Sequence, residues 1–215
     1  MNTFLAILLR IAVIAVALVL WFWTQRLISR KAMPTEGVGD RIHDLTTSAN
    51  AWLWIHTRAA DLLLIVSSAF IDLFALYLIG TAVFGATIRP FAALFMVFLL
   101  RQLCQGLCTL PLPKGTIWRD PGFPSLLVTY GVGNDFYFSG HTSIAVVGAI
   151  ELSRNGPPWL AAAAVVIAIG EAVTVLLLRA HYLMDVFTAV FVAWACDALA
   201  VQIAPVIDAW LRQLY

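Results

Sequence analysis

The sequence predicts an all-α, polytopic membrane protein: a bundle of six transmembrane helices. Three observations lead there. Of 215 residues, 62% are hydrophobic and only 12% charged, with a mean hydropathy of +0.91. A water-soluble domain must cover its outside with polar side chains, so this balance makes lipid the solvent. Apolar runs recur at residues 4–23, 61–84, 91–110, 139–152, 159–178 and 182–204, and a helix needs roughly 20 apolar residues to cross hydrocarbon. Tight Gly-, Pro- and Arg-containing turns separate several of them, at 85–90, 154–158 and 179–181. With no internal repeat, low-complexity tract or linker, one membrane domain over 1–215 is the economical reading.

The first run is as long as a membrane span, lacks a basic leader and ends in Trp21-Phe22-Trp23. That favours a retained helix with an interfacial aromatic belt over a cleaved signal peptide. The second run carries Asp61 and Asp72, eleven residues or three turns apart and therefore on one face. The third carries Arg101, whose plainest partner in such surroundings is Asp72. The fourth is short and must tilt, thin the bilayer or continue past Arg154. The fifth and sixth hold Glu171 and Asp197, read as internal polar contacts. His56, among Trp52 and Trp54, reads as interfacial. Cys104, Cys108 and Cys196 lie in apolar runs at spacings that suit neither a disulfide framework nor a zinc site, and read as small buried side chains. A net charge of +1 excludes a broad nucleic-acid surface.

Parity orders the polar residues. His141 opens the fourth run and His181 the sixth; one run leaves that membrane face and the next returns. Both histidines therefore lie at the same face, together with the long connections 24–60 and 111–138. That face also collects Arg26, Arg30, Lys31, Arg41, Arg58, Lys114, Arg119 and Arg179, against Arg89, Arg154 and Arg212 opposite. Cations there can bind substrate as well as set topology, so the charge bias leaves the membrane face open.

Ser139-Gly140-His141-Thr142 has the form of a helix start. Ser139 suits the N-cap, and Gly140 allows a ligand close to unpaired N–H groups that favour a phosphate. His181 and Asp185 are one helical turn apart, so the carboxylate can orient the imidazole and leave its Nε2 as a nucleophile. Acidic groups at membrane depth are costly, which weighs for function over a merely capping pair. Arg101 and Arg179 are candidates to neutralise phosphate oxygens.

These residues resemble the sphingomyelin synthase-like branch of the lipid phosphatase/phosphotransferase (PAP2) superfamily. Asp135-Phe136-Tyr137-Phe138-Ser139-Gly140-His141-Thr142 is similar to its third motif and His181-Tyr182-Leu183-Met184-Asp185-Val186 to its fourth. Arg101 with Thr109-Leu110-Pro111-Leu112-Pro113, and Gly39-Asp40-Arg41-Ile42-His43-Asp44, resemble earlier motifs. Departures fall at Gly133-Asn134-Asp135 and at Glu36-Gly37-Val38-Gly39, and the lysine of the simple phosphatases is replaced by Ala82. The resemblance implies six helices around a catalytic chamber, with His141, His181 and Asp185 as catalytic residues. It also implies Arg101, Asp135, Ser139, Gly140, Arg179, Tyr182 and Asp40 at the substrate, with no metal or cofactor.

The implied activity is transfer of phosphocholine or phosphoethanolamine from phosphatidylcholine or phosphatidylethanolamine to ceramide or a similar lipid alcohol such as diacylglycerol. A phosphohistidine on His181 would be the intermediate, with His141 as acid and then base. Water as acceptor would make the same triad a phospholipase C or lipid phosphatase. A non-catalytic transporter or scaffold is a third class, but no repeat or broken helix points to one. A compact chain suggests a bacterial inner membrane.

Overall fold

The computed structural model describes residues 3–30, 38–128, 130 and 137–213. Among them are eight helices and no strand: α1 (Thr3–Ile28), α2 (Arg41–Leu45), α3 (Thr47–Ile55), α4 (Thr57–Phe84), α5 (Arg89–Leu107), α6 (Gly140–Asn155), α7 (Pro158–Leu177) and α8 (Leu183–Gln213). Five are long and apolar enough to cross a membrane: α1, α4, α5, α7 and α8. This is an integral membrane protein. The expected count of six spans is not confirmed, because α6 is short. At 16 residues it reaches about 24 Å, less than the roughly 30 Å of a hydrocarbon core.

The reason lies in what surrounds α6. It packs against α4, α5, α7 and α8 and so meets protein rather than lipid. His141, Thr142, Ser143 and Glu151 are all buried on it, residues that a lipid-facing helix would exclude. Lipid meets the outer helices instead, where Val19, Leu73, Val166 and Val206 each expose more than half their surface. Exposed apolar side chains of this kind are what a bilayer covers.

Hydrocarbon supplies little drive for helices to associate, so close backbone approach has to do it. Ala189, Ala193, Cys196, Ala200 and Ala204 form a buried stripe of small residues on α8, which packs on α5 and α6. Gly148 does the same for α6 against α4: a Cβ there would stand 2.4 Å from the ring of Phe74. Of the cysteines, only Cys196 is buried; Cys104 is partly exposed and Cys108 exposed.

Polar contacts close the ends. Arg10 of α1 donates to the carbonyls of Ala82 and Gly85 at 3.2 and 2.8 Å, satisfying the C-terminus of α4. Asp208 of α8 accepts from the Ile88 N–H at 2.9 Å, where α5 begins. On the face away from the histidines, Arg89 pairs with Glu151 at 2.7 Å and with Asp197 at 3.6 Å, and Arg154 also pairs with Asp197. Glu171 accepts from Ser67 Oγ at 2.6 Å. Asp197 and Glu171 are thus internal contacts, as the sequence suggests.

The connection 24–60 is largely helical: α1 runs on to Ile28, and α2 and α3 follow. His56 is exposed and stacks on Trp52 at 4.2 Å. The two acids of α4 grip the second connection, Asp61 through Arg119 at 2.7 Å and Asp72 through the N–H groups of Leu126 and Leu127. Asp72 is therefore engaged by that loop and not by Arg101.

Gly148→Ala is expected to cost about 1–3 kcal/mol by driving a methyl group into Phe74. The thermal midpoint in detergent should fall, and adding Phe74→Leu should recover part of the loss. An unchanged midpoint would mean that α4 and α6 do not meet this closely.

Candidate active site

Both motif segments enter their helices through a residue with left-handed backbone: Phe138 (φ 69°) before α6 and Arg179 (φ 54°) before α8. Bulky residues rarely adopt this conformation, which costs on the order of 1–3 kcal/mol and persists where surroundings impose it. Here hydrogen bonds do so. The Phe138 carbonyl accepts from Arg101 Nε at 2.9 Å, and the Arg179 carbonyl accepts from Thr116 Oγ1 at 2.9 Å. Ser139 then caps α6: its Oγ accepts from the Thr142 N–H at 3.3 Å, and its own N–H donates to the Asp185 carbonyl at 3.3 Å. The starts of α6 and α8 are thereby joined directly.

That junction places His141 and His181 on one cavity of about 50 Å³, whose polar edge also includes Arg101 and Gly140. Its other walls are apolar, among them Trp21, Phe98, Trp118 and Ile144. Arg101 lies over the start of α6, where a Cβ on Gly140 would meet its Nε at 3.4 Å. The guanidinium is steadied by Gln25 of α1 at 3.4 Å. His141 is buried and meets the Trp118 indole edge-on at 5.1 Å. Its Nε2 has no hydrogen-bond partner among the described residues.

Asp185 is fully buried behind His181. Its Oδ2 accepts from the Tyr182 N–H at 2.9 Å and lies 3.7 Å from His181 Nδ1, while its Oδ1 is unpartnered among the described residues. At 3.7 Å the histidine contact is electrostatic and not a formed hydrogen bond. Catalytic pairs commonly tighten only once substrate is bound.

The remaining expected site residues lie elsewhere. Ser139 is buried as a cap and does not line the cavity. Arg179, Tyr182 and Asp40 line a separate, polar cavity of about 260 Å³ with His43, Asp44 and Lys114. Arg179 donates to the carbonyls of Lys114 and His43 at 2.8 and 2.7 Å, so it braces backbone and does not face the two histidines. Burial pushes the Tyr182 phenol up from its ordinary pKa, which keeps the proton it donates to the Pro111 carbonyl at 3.1 Å. Asp135 lies outside the described residues.

Sequence reasoning missed His43 and the double role of Asp40. Asp40 Oδ1 caps α2 through Ile42 and His43, and its Oδ2 accepts from the Leu183 N–H at 2.5 Å, where α8 begins. His43 Nε2 donates to the His181 carbonyl at 3.0 Å. One short segment distant in sequence thus holds the peptide that carries His181. The Gly39 to Asp44 motif was the available signal, and it pointed to substrate contact instead of this bracing.

The family model AtPDCT1/2 matches residues 40–202, about three quarters of the chain. The chain belongs to the AtPDCT1/2 family. This corrects the resemblance to the sphingomyelin synthase-like PAP2 branch, since the family matched is that of phosphatidylcholine:diacylglycerol cholinephosphotransferases. The resemblance rested on short motifs around His141 and His181, whereas the family match extends over residues 40–202. Ceramide, phosphatidylethanolamine and sphingolipid metabolism draw no support from this match. Neither does a bacterial inner membrane, because the family is a plant one. No curated protein matches the chain.

Asp40→Ala removes acceptors from two helix starts at once and is expected to cost about 1–2 kcal/mol. Thermal unfolding should show a lower midpoint than Asp44→Ala, whose parent side chain is exposed. Equal midpoints would remove the bracing role.

Proposed function

We propose that this protein transfers phosphocholine from phosphatidylcholine to diacylglycerol within the membrane. The observation that carries the proposal is the pair His141 and His181 on one small cavity with a polar edge and apolar walls, in a chain of the AtPDCT1/2 family. His181 Nε2 attacks phosphorus, and the bond from phosphorus to the glycerol oxygen breaks. The negative phosphate favours the protonated form of His141, which gives its proton to the departing diacylglycerol. A second diacylglycerol then returns a proton to His141 as its hydroxyl attacks phosphorus and releases His181. Leaving group and acceptor are the same kind of alcohol, so one acid–base group serves both half-reactions.

Three features support this mechanism. The unpartnered Nε2 of His141 has a position for the alcohol oxygen. Arg101 and the N-terminus of α6 supply positive potential where phosphoryl oxygens gain charge. The aromatic and aliphatic walls disfavour water, which supports a lipid acceptor over hydrolysis.

Purified protein in vesicles containing choline-labelled phosphatidylcholine and a mass-distinguishable diacylglycerol should move the label to the new diacylglycerol. His181→Ala and His141→Ala should each lower the rate by roughly 10⁴-fold, and Arg101→Ala by roughly 10²-fold, with folding retained. Release of free phosphocholine at a rate indifferent to diacylglycerol would replace transfer by hydrolysis. Full activity in His181→Ala would remove the covalent step.

A further inference from the structure

We propose that the groove between α1, α4 and α5 seats an acyl chain of the reacting glycerolipid, with Trp21 at the join between chain and head group. This rests on the phosphocholine-transfer reading and specifies how the lipid lies. The groove is lined by Ala17 and Leu18 of α1, Ile79 of α4 and Phe95 of α5, with no charged side chain. Phe95 is exposed on the flank of the bundle, so the groove opens toward lipid.

What separates it from other apolar clefts is its inner end. Trp21, Phe98 and Leu127 line both this groove and the cavity of the two histidines. The rings of Trp21 and Phe98 stand 5.0 Å apart at 56° and form a shared wall. The Trp21 indole N–H is buried and has no hydrogen-bond partner among the described residues. A buried donor in apolar surroundings is unfavourable until it finds an acceptor.

A glycerolipid presents its groups in a matching order. Its phosphate suits Arg101, Gly140 and the histidines, its ester carbonyl a few bonds away is an acceptor for Trp21, and its chain is hydrocarbon for the groove. No soluble phosphate ester would need all three. The apolar groove joined to the reaction cavity therefore selects an acyl chain as its occupant.

Photolabelling tests this on the unmodified protein. Phosphatidylcholine carrying a mid-chain diazirine, irradiated in vesicles with the protein, should give adducts concentrated at residues 17–21 and 91–98. Adducts no denser there than at the lipid-facing Val165 and Ile169 of α7 would overturn the proposal. Ala17→Phe, which fills the groove, should lower kcat/KM for a long-chain diacylglycerol by roughly tenfold while largely sparing a dihexanoyl acceptor; equal loss with both would also overturn it. Trp21→Phe should raise KM more than it lowers kcat. Labelling needs no turnover, so the two readings fail separately. A labelled groove in a protein that moves no phosphocholine keeps the acyl-chain seat and removes the function above. An active protein without groove labelling does the reverse.

Discussion

The structure depends on keeping one polar helix away from lipid. A bilayer interior offers no water to satisfy polar groups, so each must be answered by protein. α6 brings His141, Thr142, Ser143 and Glu151 into that region, and helices α4, α5, α7 and α8 wrap it. At one end Ser139 Oγ accepts from the Thr142 N–H, the Asp185 carbonyl accepts from the Ser139 N–H, and Arg101 donates to the Phe138 carbonyl. At the other, Arg89 answers Glu151 while Arg154 and Asp197 pair beside it. Gly148 and the small residues of α8 are consequences of the same demand, because only short side chains let the wrapping helices come close.

This explains how the fold could be read from sequence and where that reading stopped. Apolar runs announce helices whose surroundings are lipid, and α1, α4, α5, α7 and α8 were legible for that reason. α6 was not legible as an equal member, since hydropathy reports contact with lipid and α6 has protein on all sides. α2 and α3 were hidden too: they are short, polar-flanked and stabilised by contacts that local pattern does not record, such as Asn50 donating to the carbonyls of Gly115 and Leu177.

The site divides similarly. Helical spacing and parity sufficed to bring His141, His181 and Asp185 to one face, and chemistry suggested Arg101. Residues that act through backbone geometry left no such trace. Phe138 and Arg179 show no sequence sign of left-handed conformation, and Trp118 and Trp21 reach the cavity only through tertiary packing. Arg179 was expected at the substrate because a cation two residues before a histidine resembles a phosphate ligand, whereas here it donates to the carbonyls of Lys114 and His43 and lines a separate cavity. Membership of the AtPDCT1/2 family was likewise not legible in the short motifs around His141 and His181.

The bracing of residues 179–183 limits how the site can move. The His181 carbonyl is held by His43, the Leu183 N–H by Asp40, and the Arg179 carbonyl by Thr116. The main chain around the imidazole consequently has little slack. The 3.7 Å separation between His181 and Asp185 can close by rotation about the side-chain χ1 and χ2 bonds of the two residues, on the timescale of rotamer exchange and with both helices left where they stand.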